Sequence, residues 1–271
     1  MLIINILRAG LAILVGLLNT SFWFTLAVMT PLLTGHRPNW PAKGWALVAH
    51  WLIYRGILGA RLKMEFNGEG MAPNEVCVVF GNHPPTPALS EWVYAVNQVF
   101  SGYFFSPVAR SSHPMVRGFK GIGGTIINRE VGAVAVKELH QAVEDLPYRS
   151  VLTIFSDENR FTPARHKAAW KEVGDRGRLH LFGRHRFTMP VRGRGTHALV
   201  QALPLASWIR CTVSFNRPVH TVWDAWRLPG ATLLIRFDRV RCPRVEQAAC
   251  FEDLNRHFAV MDKIMEDHQE K

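Results

Sequence analysis

Three short polar segments in this chain each adjoin an apolar run of the type that forms a buried strand. The runs cover residues 75–80, 125–127 and 151–155. The polar residues beside them are, in chain order, Asn82 and His83, Gly124 and Arg129, and Asp157 and Arg160. In α/β proteins, catalytic groups gather at the open ends of the strands. The spacing therefore predicts one site that combines an imidazole, a carboxylate and guanidinium groups.

Each of these groups has a chemical role and an ordinary structural alternative. His83 is a candidate general base, although most single histidines near strand ends are ordinary polar residues. Gly124 allows the backbone to approach a ligand closely. Arg129 and Arg160 are suited either to holding phosphate oxygens or to forming strand-end salt bridges, for which Asp157 and Glu158 are available partners.

The rest of the chain predicts the scaffold that must position these groups. Strand-like runs lie at 75–80, 103–108, 125–127, 151–155, 187–191, 208–215 and 231–237, and helical periodicity is clear at 131–146 and 247–266. Such alternation indicates an α/β sheet with helices on its faces. No repeat or low-complexity linker interrupts it. We therefore expect an N-terminal helical segment at residues 1–64 and one α/β domain at residues 65–271.

The N-terminal segment has the properties of a membrane element. Residues 9–33 carry no charged side chain, and a helix of this length reaches roughly 37 Å, enough to cross a hydrocarbon core. A cleaved signal peptide fits less well, because no small-x-small site follows promptly. The polar residues 19–21 and Pro31 also permit a re-entrant helix pair. The stretch at 45–62 is predicted to be an interfacial amphipathic helix, favoured by its tryptophans and basic flank, or a buried core helix.

Charge and cysteine usage limit the possible partners. The 271-residue chain has a formal net charge of +11, which indicates an anionic partner: nucleic acid, an anionic bilayer or phosphorylated small molecules. The membrane segment disfavours nucleic acid, and no RNP-type, zinc-finger or basic-zipper pattern is present. The basic stretch at 167–194 is either a solvated face or a phosphate- or lipid-contacting one. We expect no metal, and Cys77 and Cys211 are predicted to be small core residues.

In order and spacing, the three segments resemble the motifs of the glycerolipid acyltransferase family, the 1-acylglycerol-3-phosphate O-acyltransferases and related lysophospholipid acyltransferases. The family's motifs are N-H-x-x-x-x-D, G-x-x-[FI]-[IV]-x-R and F-P-E-G-T-R. Asn82-His83 matches the start of the first, residues 123–129 contain the second, and Phe155 with Arg160 matches the third. The resemblance spans about residues 75–215.

This resemblance implies a mixed, mostly parallel sheet flanked by helices, preceded by a membrane helix or helix pair. It implies that His83 removes the proton of a lysophospholipid hydroxyl while that oxygen attacks an acyl thioester. The residues expected to contact substrate are Asn82, Gly124, Arg129 and Arg160. The donor would be acyl-CoA or acyl carrier protein, with no cofactor. We expect the protein in the bacterial inner (cytoplasmic) membrane. Basic residues follow the apolar segment, and because such residues tend to stay in the cytoplasm, we expect the catalytic domain on the cytoplasmic side.

The first motif departs from the family pattern at Ala88, where the family has the aspartate that orients the imidazole. Three carboxylates are candidate replacements: Glu91, Asp157 and Glu158. If Pro87 opens a helix, Glu91 shares a face with Ala88 and can reach back toward His83, or it only stabilises the first helical turn.

The third motif also departs from the family pattern. Ser156 replaces its proline, and the acidic position is held by the shorter Asp157. Two other interpretations therefore stay open. One is a catalytically impaired relative that binds lipid or acyl donor. The other is a membrane-tethered protein that binds nucleic acid, which rests on charge alone.

Overall fold

The structure, a computed structural model, describes residues 2–36, 39–69, 75–110, 124–127, 132–144, 146–157, 160–176, 185–191 and 193–270. The described α-helices are α1 (Leu2–Thr34), α2 (Trp40–Val48), α3 (Leu89–Val99), α4 (Gly132–Glu144), α5 (Pro163–Asp175), α6 (Arg194–Ala202) and α7 (Gln247–Gln269). A π-helix covers Ala49–Ile57, and 3₁₀ helices cover Thr86–Ala88 and Val222–Arg227. The strands are β1 (Arg61–Asn67), β2 (Cys77–Gly81), β3 (Phe104–Arg110), β4 (Thr125–Ile127), β5 (Ser150–Phe155), β6 (Ser207–Phe215) and β7 (Thr232–Val240).

The strands form one mixed, mostly parallel seven-stranded sheet in the order β1-β7-β6-β2-β5-β3-β4. Five strands, from β6 to β4, run parallel, while β7 pairs with β6 in the antiparallel sense and β1 runs parallel to β7. Strand β2 lies between β6 and β5 and is buried along its whole length. Its carboxyl end is therefore flanked by two neighbouring strand ends, which is the edge where the polar segments meet. The expectation of an α/β sheet flanked by helices is confirmed.

Alternate side chains of the strands enter two separate cores on the two faces of the sheet, as the two-residue period of a strand requires. In β2, Cys77 and Val79 pack on the face covered by α1, α2, the π-helix and α3. Val78 and Phe80 pack on the other face with α4, α6 and α7. The expected burial of Cys77 and Cys211 is confirmed. The N-terminal helices thus share one core with the sheet.

Helix α1 is unbroken from Leu2 to Thr34 and has the length and composition of a membrane span or a signal segment. One of its sides packs against the protein, where the small residues Ala9, Ala12 and Ala27 are buried. The polar residues in its middle hold α2, because Asn19 donates to the Trp45 carbonyl at 3.1 Å and the Trp45 indole donates to Thr20 Oγ1 at 3.1 Å. Its opposite side exposes a row of large apolar side chains, among them Leu7, Leu14, Leu18 and Leu32.

Three features of the scaffold differ from the expectations. Residues 187–191 do not form a strand, because the backbone N–H groups of Phe187 and Thr188 are donated to Asp262 on α7 rather than to a neighbouring strand. The stretch at 45–62 divides into part of α2, the π-helix and the first residues of β1. Since β1 pairs with β7 over 61–67, the sheet already begins before the expected domain boundary at residue 64.

Candidate functional site

The loop after β2 carries His83 out of the sheet at a point fixed by close contacts with β6. A Cβ atom at Gly81 would overlap the backbone carbonyl of Cys211, so this position requires glycine. The amide of Asn82 continues the β2–β6 pairing: its Nδ2 donates to the Val213 carbonyl at 2.9 Å, and its Oδ1 accepts the Val213 N–H at 2.9 Å. Asn82, expected to contact substrate, is buried and holds the loop through both ends of its amide.

Asp157 joins the loop after β5 to the loop after β2. Its carboxylate accepts the backbone N–H of His83, at 3.0 Å to Oδ2 and 3.2 Å to Oδ1. One residue earlier, the Ser156 N–H donates to the Gly81 carbonyl, and the Ser156 hydroxyl lies 2.8 Å from that of Thr196 on α6. Two successive residues, Ser156 and Asp157, therefore tie this loop to the end of β2 and its loop, and Ser156 also joins it to α6. The carboxylate contacts the main chain of His83, and this contact sets where the imidazole stands.

The imidazole of His83 is held by its own loop and by an aromatic neighbour. Its Nδ1 lies 3.2 Å from the Pro84 carbonyl oxygen. A carbonyl only accepts, so this hydrogen bond places the proton on Nδ1 and leaves the lone pair on Nε2. The ring also stacks on Phe155, with centroids 4.5 Å apart. A backbone carbonyl thus selects the tautomer that a general base needs, although it stabilises a protonated ring less than a carboxylate does.

The expectation that Glu91 reaches back to His83 is wrong. Helix α3 begins at Leu89 and turns Glu91 into the core, where it is fully buried and its Oε2 lies 2.7 Å from Nδ1 of His50 on the π-helix. His50 in turn stacks on Tyr94, at a centroid distance of 4.0 Å. Burial raises the pKa of Glu91, and the hydrogen bond and charge of His50 oppose that rise. Glu91 therefore joins α3 to the N-terminal helices.

A cavity of about 470 Å³ lies beside His83, within the roughly 300–1,000 Å³ typical of small-molecule sites. His83, Phe155 and Arg160 line it at the sheet edge. The rest of its wall is mostly apolar and comes from α1, α2, the π-helix, α3, β3 and the 222–227 turn, with Gly16, Leu17, Phe24 and Val93 among the lining residues. A second cavity of about 30 Å³, lined by Asn82, Phe161 and His220, lies on another side of His83.

Arg160 brings a cation to this apolar cavity. Its Nε is buried and has no hydrogen-bond partner among the described residues. Burial lowers the pKa of its guanidinium, and the positive charge of Arg165 lowers it further. Leaving a buried N–H donor without an acceptor is costly, so an anionic ligand in the cavity that accepts from Nε would relieve that cost. The structure thus places Arg160 and His83 on one cavity wall, as the spacing predicted.

The remaining candidates divide between described and undescribed positions. Gly124 immediately precedes β4, three strands away from β2, and is not among the residues lining the cavity beside His83, as far as the described residues define it. Arg129 and Glu158 lie outside the described residues, so their roles stay predictions. Within the described ranges, no group of three His, Cys, Asp or Glu side chains is placed to hold a metal ion.

Two contributions to the site were missed in the sequence. The partner of Glu91 is His50, 41 residues earlier in the chain, and no short-range pattern connects them. The cavity wall formed by α1 was also missed. A signal was present: Ala9, Ala12, Gly16 and Ala27 give α1 a stripe of small residues, which permits close packing on one side.

Comparison of the chain with models of known protein families, with characterised proteins and with solved structures gives no match. The chemistry of the site must therefore be argued from its own geometry. That geometry joins a histidine whose Nδ1 faces a backbone carbonyl, an arginine whose buried Nε has no partner among the described residues, and an apolar cavity beside a long apolar helix. Such a set can bind an amphiphile with an anionic head and remove a proton from a hydroxyl group on it.

Proposed function

We propose that this protein transfers a fatty acyl group from an acyl thioester to the free hydroxyl of a lysophospholipid similar to lysophosphatidic acid. The observation that carries the proposal is the position of His83 on the wall of a largely apolar cavity of about 470 Å³, which α1 and the guanidinium of Arg160 also line. An acyl chain fits such a wall, and a phosphate group is the natural partner of the guanidinium. The motif resemblance at residues 75–215 points to the same reaction.

In the proposed reaction, Nε2 of His83 takes the proton of the acceptor hydroxyl as its oxygen attacks the thioester carbonyl carbon. The tetrahedral intermediate collapses by breaking the carbon–sulfur bond, and the leaving thiolate takes the proton from the imidazolium. Asp157 serves by holding the backbone of His83, and the Pro84 carbonyl holds the ring tautomer. The donor is acyl-CoA or acyl carrier protein, no further cofactor is needed, and the acceptor reaches the cavity from a membrane, the bacterial inner membrane in our proposal.

A second function is favoured by one observation. Ala88, at the position of the family's aspartate, is completely buried in the 3₁₀ turn before α3, and Glu91 is engaged with His50. A protein that binds a lysolipid or an acyl donor without transferring the acyl group would tolerate this arrangement. Both functions require ligand binding, but only the first includes catalytic turnover.

The test is transfer of a labelled acyl group from acyl-CoA, and separately from acyl carrier protein, to a panel of lysophospholipids by the detergent-purified chain. His83→Ala is compared with His36→Ala, since His36 is an exposed histidine after α1. We expect transfer that His83→Ala abolishes and His36→Ala preserves. Equal transfer by both variants would contradict the role of His83. A folded protein that binds lysolipid without transfer would establish the second function.

A further inference from the structure

A short turn after β6 exposes aromatic side chains next to α1. It is the 3₁₀ helix Val222–Arg227, which we call the tryptophan turn. The Trp223 side chain is 83% exposed and that of Trp226 is 39% exposed. Large exposed apolar side chains are unfavourable in water and mark contact surfaces when they form a patch.

The tryptophan turn is held firmly in place, so its exposed aromatics are a fixed feature. The Asp224 carboxylate accepts the Thr221 N–H at 2.9 Å, and the Thr221 side chain accepts the Asp224 N–H, which together form a capping box; the carboxylate also accepts the His220 N–H at 3.0 Å. Val222, Ala225 and Leu228 line the cavity beside His83, and Ala225 and Leu228 are buried. The turn therefore presents one apolar side to the cavity and Trp223 to the outside.

The tryptophan turn lies close to an exposed apolar residue of α1, because Leu17 is 62% exposed and lines the same cavity as Val222. The turn packs directly against α1. Leu14, Leu17 and Leu18 of α1 are each more than half exposed. Any apolar medium that covers this side of α1 is therefore within reach of the turn.

Two arginines, Arg217 and Arg227, contact the backbone around the tryptophan turn, where the carboxylate of Asp224 is already engaged by backbone N–H groups. The Arg227 guanidinium lies 4.8 Å from the centre of the Trp226 ring and donates to the Pro218 carbonyl at 2.9 Å. Arg217 donates to the Pro229 carbonyl at 3.1 Å. Tryptophan combined with arginine is typical of the bilayer interface, where the ring lies at headgroup level and the cation meets phosphate.

We propose that the tryptophan turn is a second membrane contact, separate from α1, in which Trp223 inserts into the interface of a phospholipid bilayer while Arg217 and Arg227 meet the lipid phosphates. This contact places the turn, whose inner side forms part of the cavity wall at Val222, Ala225 and Leu228, at the surface of the bilayer. The proposal goes beyond the acyl transfer proposed above and does not require it.

The test measures how close position 223 lies to acyl chains in a bilayer. The full-length chain carries Cys242→Ser, since the other cysteines, Cys77, Cys211 and Cys250, are buried. A nitrobenzoxadiazole dye is attached at Trp223→Cys or, as the matched control, at Leu205→Cys. Leu205 is 96% exposed and apolar, but it precedes β6 while Trp223 follows it, so the two positions lie at opposite ends of a nine-residue strand, roughly 27 Å long.

Both labelled proteins are reconstituted into vesicles of phosphatidylcholine and phosphatidylglycerol, with and without bromine on the acyl chains. We expect blue-shifted emission and several-fold stronger bromine quenching at 223 than at 205. Equal quenching at the two positions, or none at 223, would overturn the proposal. So would a blue shift at 223 without bromine quenching, because that result means a protein surface, such as a second copy of the chain, covers the turn.

A second measurement guards against a folding defect in the labelled variant. Trp223→Phe keeps an aromatic ring at an exposed position, and we expect it to lose part of the intrinsic fluorescence that brominated lipid quenches in the unlabelled protein. An unchanged quenchable fraction would contradict the insertion of Trp223. Neither readout involves acyl transfer, so the failure of this proposal and that of the proposed function are distinguishable.

Discussion

The Asp157 carboxylate accepts the backbone N–H of His83, at 3.0 Å to Oδ2 and 3.2 Å to Oδ1. This contact joins the loops that follow two adjacent parallel strands, and it acts on the main chain of the histidine residue. A carboxylate in this position determines where the imidazole stands relative to the cavity. Such positioning matters because an error of about 1 Å in a reacting group can lower a rate by about 100-fold.

We therefore expect Asp157→Asn to lower kcat by about 10- to 100-fold while changing KM little, since the loss of charge weakens a hydrogen bond that positions His83 without touching the cavity wall. The control is Asp175→Asn, at the exposed end of α5, which should leave kcat unchanged. Steady-state kinetics of the two variants provide the comparison. An unchanged kcat in Asp157→Asn would show that the position of the His83 backbone does not limit the reaction.

The buried pair of His50 and Glu91 is expected to stabilise the folded protein. Removing one member of a buried pair leaves the other unpaired and costs about 3–5 kcal/mol, so Glu91→Leu and His50→Leu should each lower the free energy of unfolding strongly. The double variant should lose less than the sum of the two, by about 0.5–3 kcal/mol. Denaturant unfolding of the four proteins in detergent measures this coupling. Strictly additive losses would contradict a direct interaction.

The pH dependence of the free energy of unfolding gives a separate test of the raised pKa of Glu91. Burial raises the pKa of its carboxyl group, so the folded state keeps this proton over a pH range in which the unfolded state has lost it. Stability contributed by the protonated form is fully present below about pH 4.3, the ordinary pKa of Glu, and falls as the pH rises through the folded pKa, by at most about 1.4 kcal/mol per pH unit. Glu91→Gln cannot titrate.

The measurement is the free energy of unfolding of wild type and Glu91→Gln as a function of pH. We expect the stability of wild type relative to the variant to decline as the pH rises from about 4.3 through the raised pKa of Glu91 in the folded protein. A difference that stays constant with pH would show that Glu91 titrates alike in both states. Loss of acyl transfer in a stable Glu91→Gln protein would instead show that Glu91 takes part in the reaction at His83.

The sequence was most informative where a strand is buried on both faces. The apolar runs that became β2 and β5 predicted both strands and the edge where His83 and Arg160 emerge, because a fully buried parallel strand leaves a continuous apolar run. Strand β1 was missed, since it lies at the edge of the sheet and has no residue that is fully buried; Lys63 and Met64 are exposed in succession, and the next two residues are partly buried. An edge strand lacks the continuous run that identifies a central one.

The partners of polar side chains were less predictable than the strands. Glu91 was correctly placed near the start of a helix, yet helical spacing alone could not show which side of that helix faces the π-helix and His50. The apolar run at 187–191 was compatible with a strand, but Asp262, more than 70 residues later, takes its N–H groups. Contacts between residues this far apart in the chain depend on tertiary packing, and local sequence patterns carry no information about it.

Arg160 is predicted to recognise the anionic head of the acceptor. Replacing it by Gln removes a charge-assisted interaction of about 1.5–3 kcal/mol, so KM for the lysophospholipid should rise by about 10- to 150-fold. Arg160→Lys should recover part of this loss, because Lys keeps the charge without the planar guanidinium. The control is Arg165→Gln, an exposed neighbour on α5 that does not line the cavity. If KM is unchanged in Arg160→Gln, the headgroup binds elsewhere.

The apolar cavity should set the length of the acyl chain that is accepted. Gly16 on α1 lines the cavity, and a Cβ atom there would meet only Ile53 Cδ1, at 3.7 Å, so a larger side chain at this position projects into the space without forcing the backbone apart. We expect Gly16→Leu to shift the preference toward shorter acyl chains. Each methylene that no longer fits costs about 0.8 kcal/mol, or roughly fourfold in kcat/KM.

Gly10→Leu is the matched control for Gly16→Leu, because a Cβ atom at Gly10 meets nothing within 4 Å on the same helix. It adds the same side chain and the same helix propensity outside the cavity. Competition between acyl donors of different lengths, measured for wild type and both variants, gives the ratios of kcat/KM. If Gly16→Leu and Gly10→Leu alter the length preference equally, the chain does not bind along α1, and the cavity beside His83 would have to hold another part of the substrate.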